Sequence, residues 1–140
     1  MDRAPAPCTA LRILVVDDDS DTCETLAMLL QLHGHIVVTA CDGPSALTVA
    51  VDSPPDLILL DLAMPFMDGW EVARRLRNDP RTRATYIVSV SGMARKVDRQ
   101  RSLEAGCDDH WAKPFSMDLL APLLDARLAA RNQRPPPDGS

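Results

Sequence analysis

The stretch that most limits how this chain can fold is Leu57-Ile58-Leu59-Leu60-Asp61-Leu62-Ala63-Met64-Pro65-Phe66-Met67-Asp68-Gly69-Trp70. Four aliphatic residues in a row, without alternation, suit a short strand covered on both faces, as in a parallel sheet. An acid follows at once, then a proline turn, then Asp68-Gly69 at the start of a new helix. Such a strand delivers Asp61 to the carboxyl edge of the sheet, where open α/β folds hold their ligands. An acid after a strand commonly does no more than cap a turn, so the other strand ends must decide.

A second unbroken apolar run, Ile13-Leu14-Val15-Val16, ends in Asp17-Asp18-Asp19. Asp21 with Glu24 three residues later marks a helix start. Cys23, Leu26, Leu29 and Leu30 follow at helical spacing, and Gly34 suits the stop. Residues 36–40 form a β-branched strand, and Asp42-Gly43-Pro44 leads into a helix carrying Ala46, Leu47, Ala50 and Val51 on one face. Past Gly69 a helix turns Trp70, Ala73 and Leu76 inward and Arg74, Arg75 and Arg77 outward, ending at Asn78-Asp79-Pro80. A fourth strand over 86–90 reaches Ser91-Gly92. The next helix, about 94–105, has few apolar residues and is expected to be loosely held.

A short fifth strand over 109–112 runs into Lys113-Pro114-Phe115. The last helix shows Leu119, Leu120, Leu123, Leu124 and Leu128 as a stripe, with a late start or kink expected at Pro122. Five strands alternating with five helices imply a parallel α/β sheet, and right-handed crossovers favour a doubly wound one. The expected organisation is a flexible leader over 1–10, one domain over 11–131 and a disordered proline-rich tail over 132–140.

A chain of 140 residues buries an adequate core without disulfides. Cys8, Cys23, Cys41 and Cys107 show no metal-ligand spacing and read as reduced thiols of a cytoplasmic protein. The formal charge of −5 argues against a nucleic-acid grip. No apolar run approaches the roughly 20 residues of a membrane span. Lysine occurs only at Lys96 and Lys113, against many arginines.

In a parallel sheet, Asp17, Asp18, Asp61, Ser91 and Lys113 converge on one edge. Clustered carboxylates repel and call for a cation. An all-oxygen site suits Mg²⁺. Carboxylate, lysine and hydroxyl around such an ion are the parts needed for phosphoryl transfer to a side chain.

The fragments ILVVDDD, LLDLAMPFMDG, VSVSG and AKPF, in this order and spacing, resemble a response-regulator receiver domain of bacterial two-component signalling, similar to the stand-alone chemotaxis regulator. The resemblance covers about residues 11–131 and implies a flavodoxin-like (βα)5 fold with strand order 2-1-3-4-5. It implies Asp61 as phosphoacceptor, and Asp17, Asp18, Asp61 and the Ala63 backbone carbonyl as Mg²⁺ ligands. Ser91 and Lys113 would hold the phosphoryl group, and Lys113-Pro114 would be cis. The phosphodonor would be a sensor histidine kinase or a histidine phosphotransfer protein. A downstream protein would dock on the face built from 94–131. The chain would be a monomer or weak dimer and not a multiple-turnover enzyme. Asp19 matches no metal position and reads as a solvated turn acid.

The chain departs from the family pattern at three places. His110 stands where Tyr or Phe is usual, so the expected switch pair is Ser91 and His110, unless His110 is solvent-exposed. Ala63 and Met93 occupy the two positions that tune water access to the acyl phosphate. Arg74, Arg75, Arg77, Arg81 and Arg83 read as a solvated face, and His33 and His35 as loop residues. Two alternatives remain. One is a phosphate relay or sink. The other is a phosphatase of the haloacid dehalogenase type using Asp17, which would need a Thr absent from Asp17-Asp18-Asp19-Ser20-Asp21.

Overall fold

The structure, a computed structural model, describes residues 10–64, 67–92, 96–113 and 115–133. Five strands alternate with five helices: β1 (Arg12–Val16), α1 (Ser20–Leu32), β2 (Ile36–Ala40), α2 (Gly43–Asp52), β3 (Leu57–Asp61), α3 (Gly69–Asn78), β4 (Tyr86–Ser91), α4 (Lys96–Ala105), β5 (Asp109–Ala112) and α5 (Met117–Asn132). The strands form one sheet in the order β2-β1-β3-β4-β5, every pair parallel. This is the flavodoxin-like order expected from the sequence.

The unbroken apolar runs are explained by two cores, one on each face. Leu14, Val16, Ile58, Leu60 and Ile87 pack with Ala46 and Ala50 of α2, Val72, Ala73 and Leu76 of α3, and Ala105 of α4. Ile13, Val15, Leu57, Leu59, Val88, Val90 and Trp111 pack with Cys23 and Leu30 of α1 and Leu120 and Leu124 of α5. Alternate residues of β1, β3 and β4 thus serve opposite faces, both dry, whereas the edge strand β2 leaves Ile36 and Val38 exposed. Burial pushes the Cys23 and Cys107 thiols up to about 11, so both act as small hydrophobes.

Local chemistry sets the element ends. The α1 cap is Asp19, which accepts from the Asp21 N–H and the Thr22 hydroxyl. The helix therefore starts at Ser20, ahead of the expected Asp21/Glu24 signature, and Asp19 is more than a solvated acid. Asp42 and Asp68 cap α2 and α3 through the N–H groups of Ser45 and Glu71. Gly34 and Gly106 take positive φ, 92° and 107°, where the chain leaves α1 and α4. The strand β4 includes Ser91, one residue beyond the expected end.

Other expectations need correction. Pro122 does not delay α5, which starts at Met117 and carries the proline, itself exposed, in its second turn. Pro122 lacks an N–H, and that loss falls within the second turn and faces solvent. Leu29 and Leu119 lie on the outer edges of their stripes and are exposed. Arg77 is not part of a solvated face. Its guanidinium donates to the carbonyls of Gly106, Arg83 and Thr85 and pairs with Asp108, tying α3 to the turn before β5. His33 and His35 do lie in the loop between α1 and β2, as expected, and His35 is buried there, its Nδ1 accepting from the Leu11 N–H at 3.0 Å. The leader except Ala10, most of the tail, Met93 and the Lys113-Pro114 bond lie outside the described residues.

Candidate functional site

Parallel strands place their carboxyl ends on one edge, and the polar residues gather there. Asp17 follows β1, Asp61 ends β3, Ser91 ends β4 and Lys113 follows β5. One carboxylate oxygen from each of Asp17, Asp18 and Asp61 lies within 4.8 Å of the others. Asp17 and Asp61 are buried while Asp18 faces solvent. It is the only such acidic or metal-ligating group among the described residues. The set offers hard oxygens alone, with one side open, which fits Mg²⁺ better than a thiol- or imidazole-seeking metal.

Lys113 reaches back across the edge. Its Nζ is 2.8 Å from Asp17 Oδ2 and 3.6 Å from Asp61 Oδ2. Burial pushes its pKa down, yet the hydrogen bond and charges of the two aspartates outweigh this and raise it. Asp61 is pushed up to about 6, first by burial and then by the charge of Asp17, against the pull of Lys113 and the Ala63 N–H. That N–H donates to Asp61 Oδ1 at 3.2 Å, so the residue two past the acid fixes its carboxylate.

The loop after β3 returns tightly. Gly69 N–H donates to Leu62 O, and a Cβ on Gly69 would stand 2.7 Å from Asp61 O. Only glycine lets α3 start this close to the acid, which accounts for the Asp68-Gly69 signal. A cavity of about 450 Å³ opens beside the carboxylates between α1 and the segment after β5, lined by Leu26, Leu29 and Phe115 among others.

Ser91 and His110 meet on the other face of the sheet edge. The register pairs Ser89 with His110 and Ser91 with Ala112, so the imidazole stands between two serines of the neighbouring strand. Ser89 Oγ is 2.7 Å from His110 Nδ1, and Ser91 Oγ is 3.2 Å from Nε2. Ser102 of α4 adds a third hydroxyl, 3.3 Å from Nδ1, and itself accepts from Trp70 Nε1 at 2.9 Å. His110 is therefore buried, 5% exposed, and the solvent-exposed alternative does not hold. Burial lowers its pKa, with Asp98 and Asp109 opposing and Arg99 assisting. Trp111 packs in the α1/α5 core, edge-on to Phe115.

The sequence placed the aspartates, Ser91 and Lys113 at the right strand ends. It missed the roles of Ser89, Ser102 and Trp70 around His110. One signal was present: Ser89 lies two before Ser91 in an otherwise apolar strand, hence on the same face.

Residues 13–125 match the protein-family model described as the response regulator receiver domain. Among curated proteins, the chain is 44% identical over 109 residues to response regulator PleD of Caulobacter vibrioides, covering 78% of this chain and 24% of that one. It is 41% identical over 126 residues to transcriptional regulatory protein PrrA of Mycobacterium tuberculosis, covering 88% and 52%. The chain thus spans between about a quarter and a half of the curated relatives it matches. Among solved structures, the receiver domain of sensor histidine kinase PA1611 from Pseudomonas aeruginosa is similar, with TM-score 0.78 and 29% identity over 86% of this chain and 98% of that one. That structure is described as having a magnesium ion coordinated in its active site cleft.

Proposed function

The chain belongs to the response regulator receiver domain family, and from that premise we propose that it is a phosphoacceptor in a two-component phosphorelay, with Asp61 as the acceptor. As a receiver domain it is a signalling module and not a conventional enzyme, which sets aside the phosphatase reading built on Asp17. The observation that carries the proposal is the convergence of Asp17, Asp18 and Asp61 with Lys113 on one strand edge.

In this reading a sensor histidine kinase or a histidine phosphotransfer protein presents a phosphohistidine to Asp61. A carboxylate oxygen of Asp61 attacks phosphorus, the P–N bond breaks, and the donor imidazole leaves. Asp17, Asp18, Asp61 and the Ala63 carbonyl would hold Mg²⁺. When bound, the ion would offset the charge of the carboxylates and of the phosphoryl oxygens. The Ala63 N–H and Lys113 orient Asp61 before transfer. Lys113 then pairs with a phosphoryl oxygen, and the Ser91 hydroxyl donates to another. The acyl phosphate adds charge at the edge that carries Ser91 and His110. That change biases the packing of α4, β5 and α5, the face a downstream protein would read. We place the protein in the cytoplasm, where sensor kinases expose their phosphohistidines; no helix among the described residues is long and apolar enough to cross a membrane.

The test is phosphotransfer from a labelled histidine kinase to the wild type and to Asp61→Asn, with and without a chelator. Label is expected on the wild type in the presence of Mg²⁺ and nowhere on the variant. Onward transfer of that label to a phosphotransfer histidine would favour the relay reading over partner switching.

A further inference from the structure

We infer that the free edge of β2 is an interface for a second copy of this chain, the two strands pairing antiparallel about a two-fold axis at Val38. Along a strand, successive residues turn their N–H and C=O groups to opposite sides. Ile36 N–H donates to Leu11 O and Asp17 N–H donates to Ala40 O, so Ile36, Val38 and Ala40 face β1. Val37 and Thr39 therefore turn their N–H and C=O groups outward, and no described residue pairs with them. The opposite edge of the sheet covers itself. On β5 the His110 N–H donates to the Asp109 carboxylate at 2.8 Å, and the His110 C=O accepts from Arg99 Nη1 at 3.4 Å. The strand β2 has none of the usual guards of an edge. Its sequence Ile-Val-Val-Thr-Ala holds no charge and no proline, and its unbroken register with β1 leaves no bulge.

A second copy fits this edge in register, in face and in charge. With the axis at Val38, Val37 of each copy lies opposite Thr39 of the other. Each such pair exchanges two hydrogen bonds, and every outward group of both strands is used. Val38 pairs with Leu14 of β1 and Ile36 with Arg12, which puts both on the side of the sheet covered by α2. They are 46% and 56% exposed. In the pair, Val38 meets the Val38 of the second copy and Ile36 lies opposite Ala40. The ionisable groups beside the strand are imidazoles before it, His33 and His35, and a carboxylate after it, Asp42. Antiparallel pairing sets Asp42 opposite Gly34, next to His33, so the ends meet as unlike charges. A charged foreign strand finds no counter-charge on residues 36–40, whereas β2 itself supplies every group that the edge lacks. The joined sheets send their carboxyl edges in opposite directions, so both Asp61 sites stay open. The inference rests on the fold alone and not on Asp61 being a phosphoacceptor.

Sedimentation of the whole chain, over a concentration series up to about 0.5 mM to cover weak interfaces, reads the state directly. The wild type is expected to pass from monomer to a species of twice the mass. Val38→Lys sets two like charges on the axis, and Thr39→Pro removes an outward N–H without touching the β1 ladder. Both should sediment as monomers throughout while keeping the wild-type circular dichroism. Cross-linking reads the register, in a Cys8→Ser, Cys41→Ser background whose remaining cysteines, Cys23 and Cys107, are buried. Val38→Cys sets two sulfurs across a non-hydrogen-bonded pair, about 4.5 Å apart at Cα and within disulfide reach. Ile36→Cys sets them more than about 10 Å apart at Cα, too far to link. Oxidation with diamide should therefore give a covalent dimer of Val38→Cys and not of Ile36→Cys. A wild type still monomeric at the top of the series would overturn the inference and leave the edge to a strand of another protein. A dimer undiminished in folded Val38→Lys, which puts the contact on another face, or Ile36→Cys linking as fast as Val38→Cys, would overturn it as well.

Discussion

Lys113 Nζ sits 2.8 Å from Asp17 Oδ2, an ion pair made across 96 positions of sequence. In the metal-free protein this ammonium is what offsets the crowding of Asp17 and Asp61. Lys113→Met leaves both buried carboxylates without it. We expect the metal-free variant to lose about 2 kcal/mol of unfolding free energy. Mg²⁺ should restore part of the loss, because the carboxylates proposed to hold it include the two that Lys113 approaches. Urea unfolding with and without Mg²⁺ checks this; equal losses in both conditions would count against a shared site.

Gly69 gives a second prediction. A Cβ there would meet Asp61 O at 2.7 Å and Leu62 Cα at 2.9 Å, both backbone atoms that cannot swing aside. Gly69→Ala should cost about 1–3 kcal/mol by overpacking and should slow phosphoryl uptake by shifting Asp61. At Gly92 a Cβ would meet nothing within 4 Å among the described residues, so Gly92→Ala should change stability far less. Paired denaturation curves, with a phosphorylation time course for Gly69→Ala, test both halves.

Arg77 gives a third. Its fork spans the carbonyls of Gly106, Arg83 and Thr85 and the Asp108 carboxylate, a set that a single ammonium cannot span. Arg77→Lys should cost about 2 kcal/mol, from acceptors left unpaired. Urea unfolding of the variant measures it. A change within a few tenths of a kcal/mol, as for an ordinary surface arginine, would mean the fork is not what ties α3 to β5.

These cases also mark what the sequence could tell. Strands running into Asp17, Asp61 and Ser91 were legible because an apolar run broken by a polar residue is itself the signature of a strand reaching the sheet edge. Arg77 was not legible, because backbone carbonyls accept without leaving a trace in side-chain identity. His110 was half legible. Its place on β5 follows from Lys113, but its burial depends on Ser102, supplied by a helix with little apolar pattern. The α1 cap was missed by two residues because Asp17-Asp18-Asp19-Ser20-Asp21 holds several capping types in a row, and only geometry selects Asp19.

His35 gives the pH dependence. Burial, the largest influence, together with the charge of His33, lowers its pKa below the ordinary 6.5, against the opposing pull of Asp125. Its Nδ1 must stay bare to accept from Leu11. Between the folded value and 6.5 the unfolded chain holds more protons, so stability climbs with pH across that window and is lost as pH falls below about 6.5. His35→Gln keeps an acceptor but does not titrate, so its stability should fall less steeply between pH 7 and pH 5.5. Thermal melts of both proteins across that range decide it, and parallel slopes would contradict the assignment.

The most direct test of the account is to find which carboxylate carries the phosphoryl group. The protein is phosphorylated with a small phosphodonor and Mg²⁺, the acyl phosphate is trapped by reduction, and the modified residue is located by peptide mapping. The account predicts one modified residue, Asp61, and no incorporation in Asp61→Asn. Label on Asp17, or undiminished incorporation in Asp61→Asn, would contradict it.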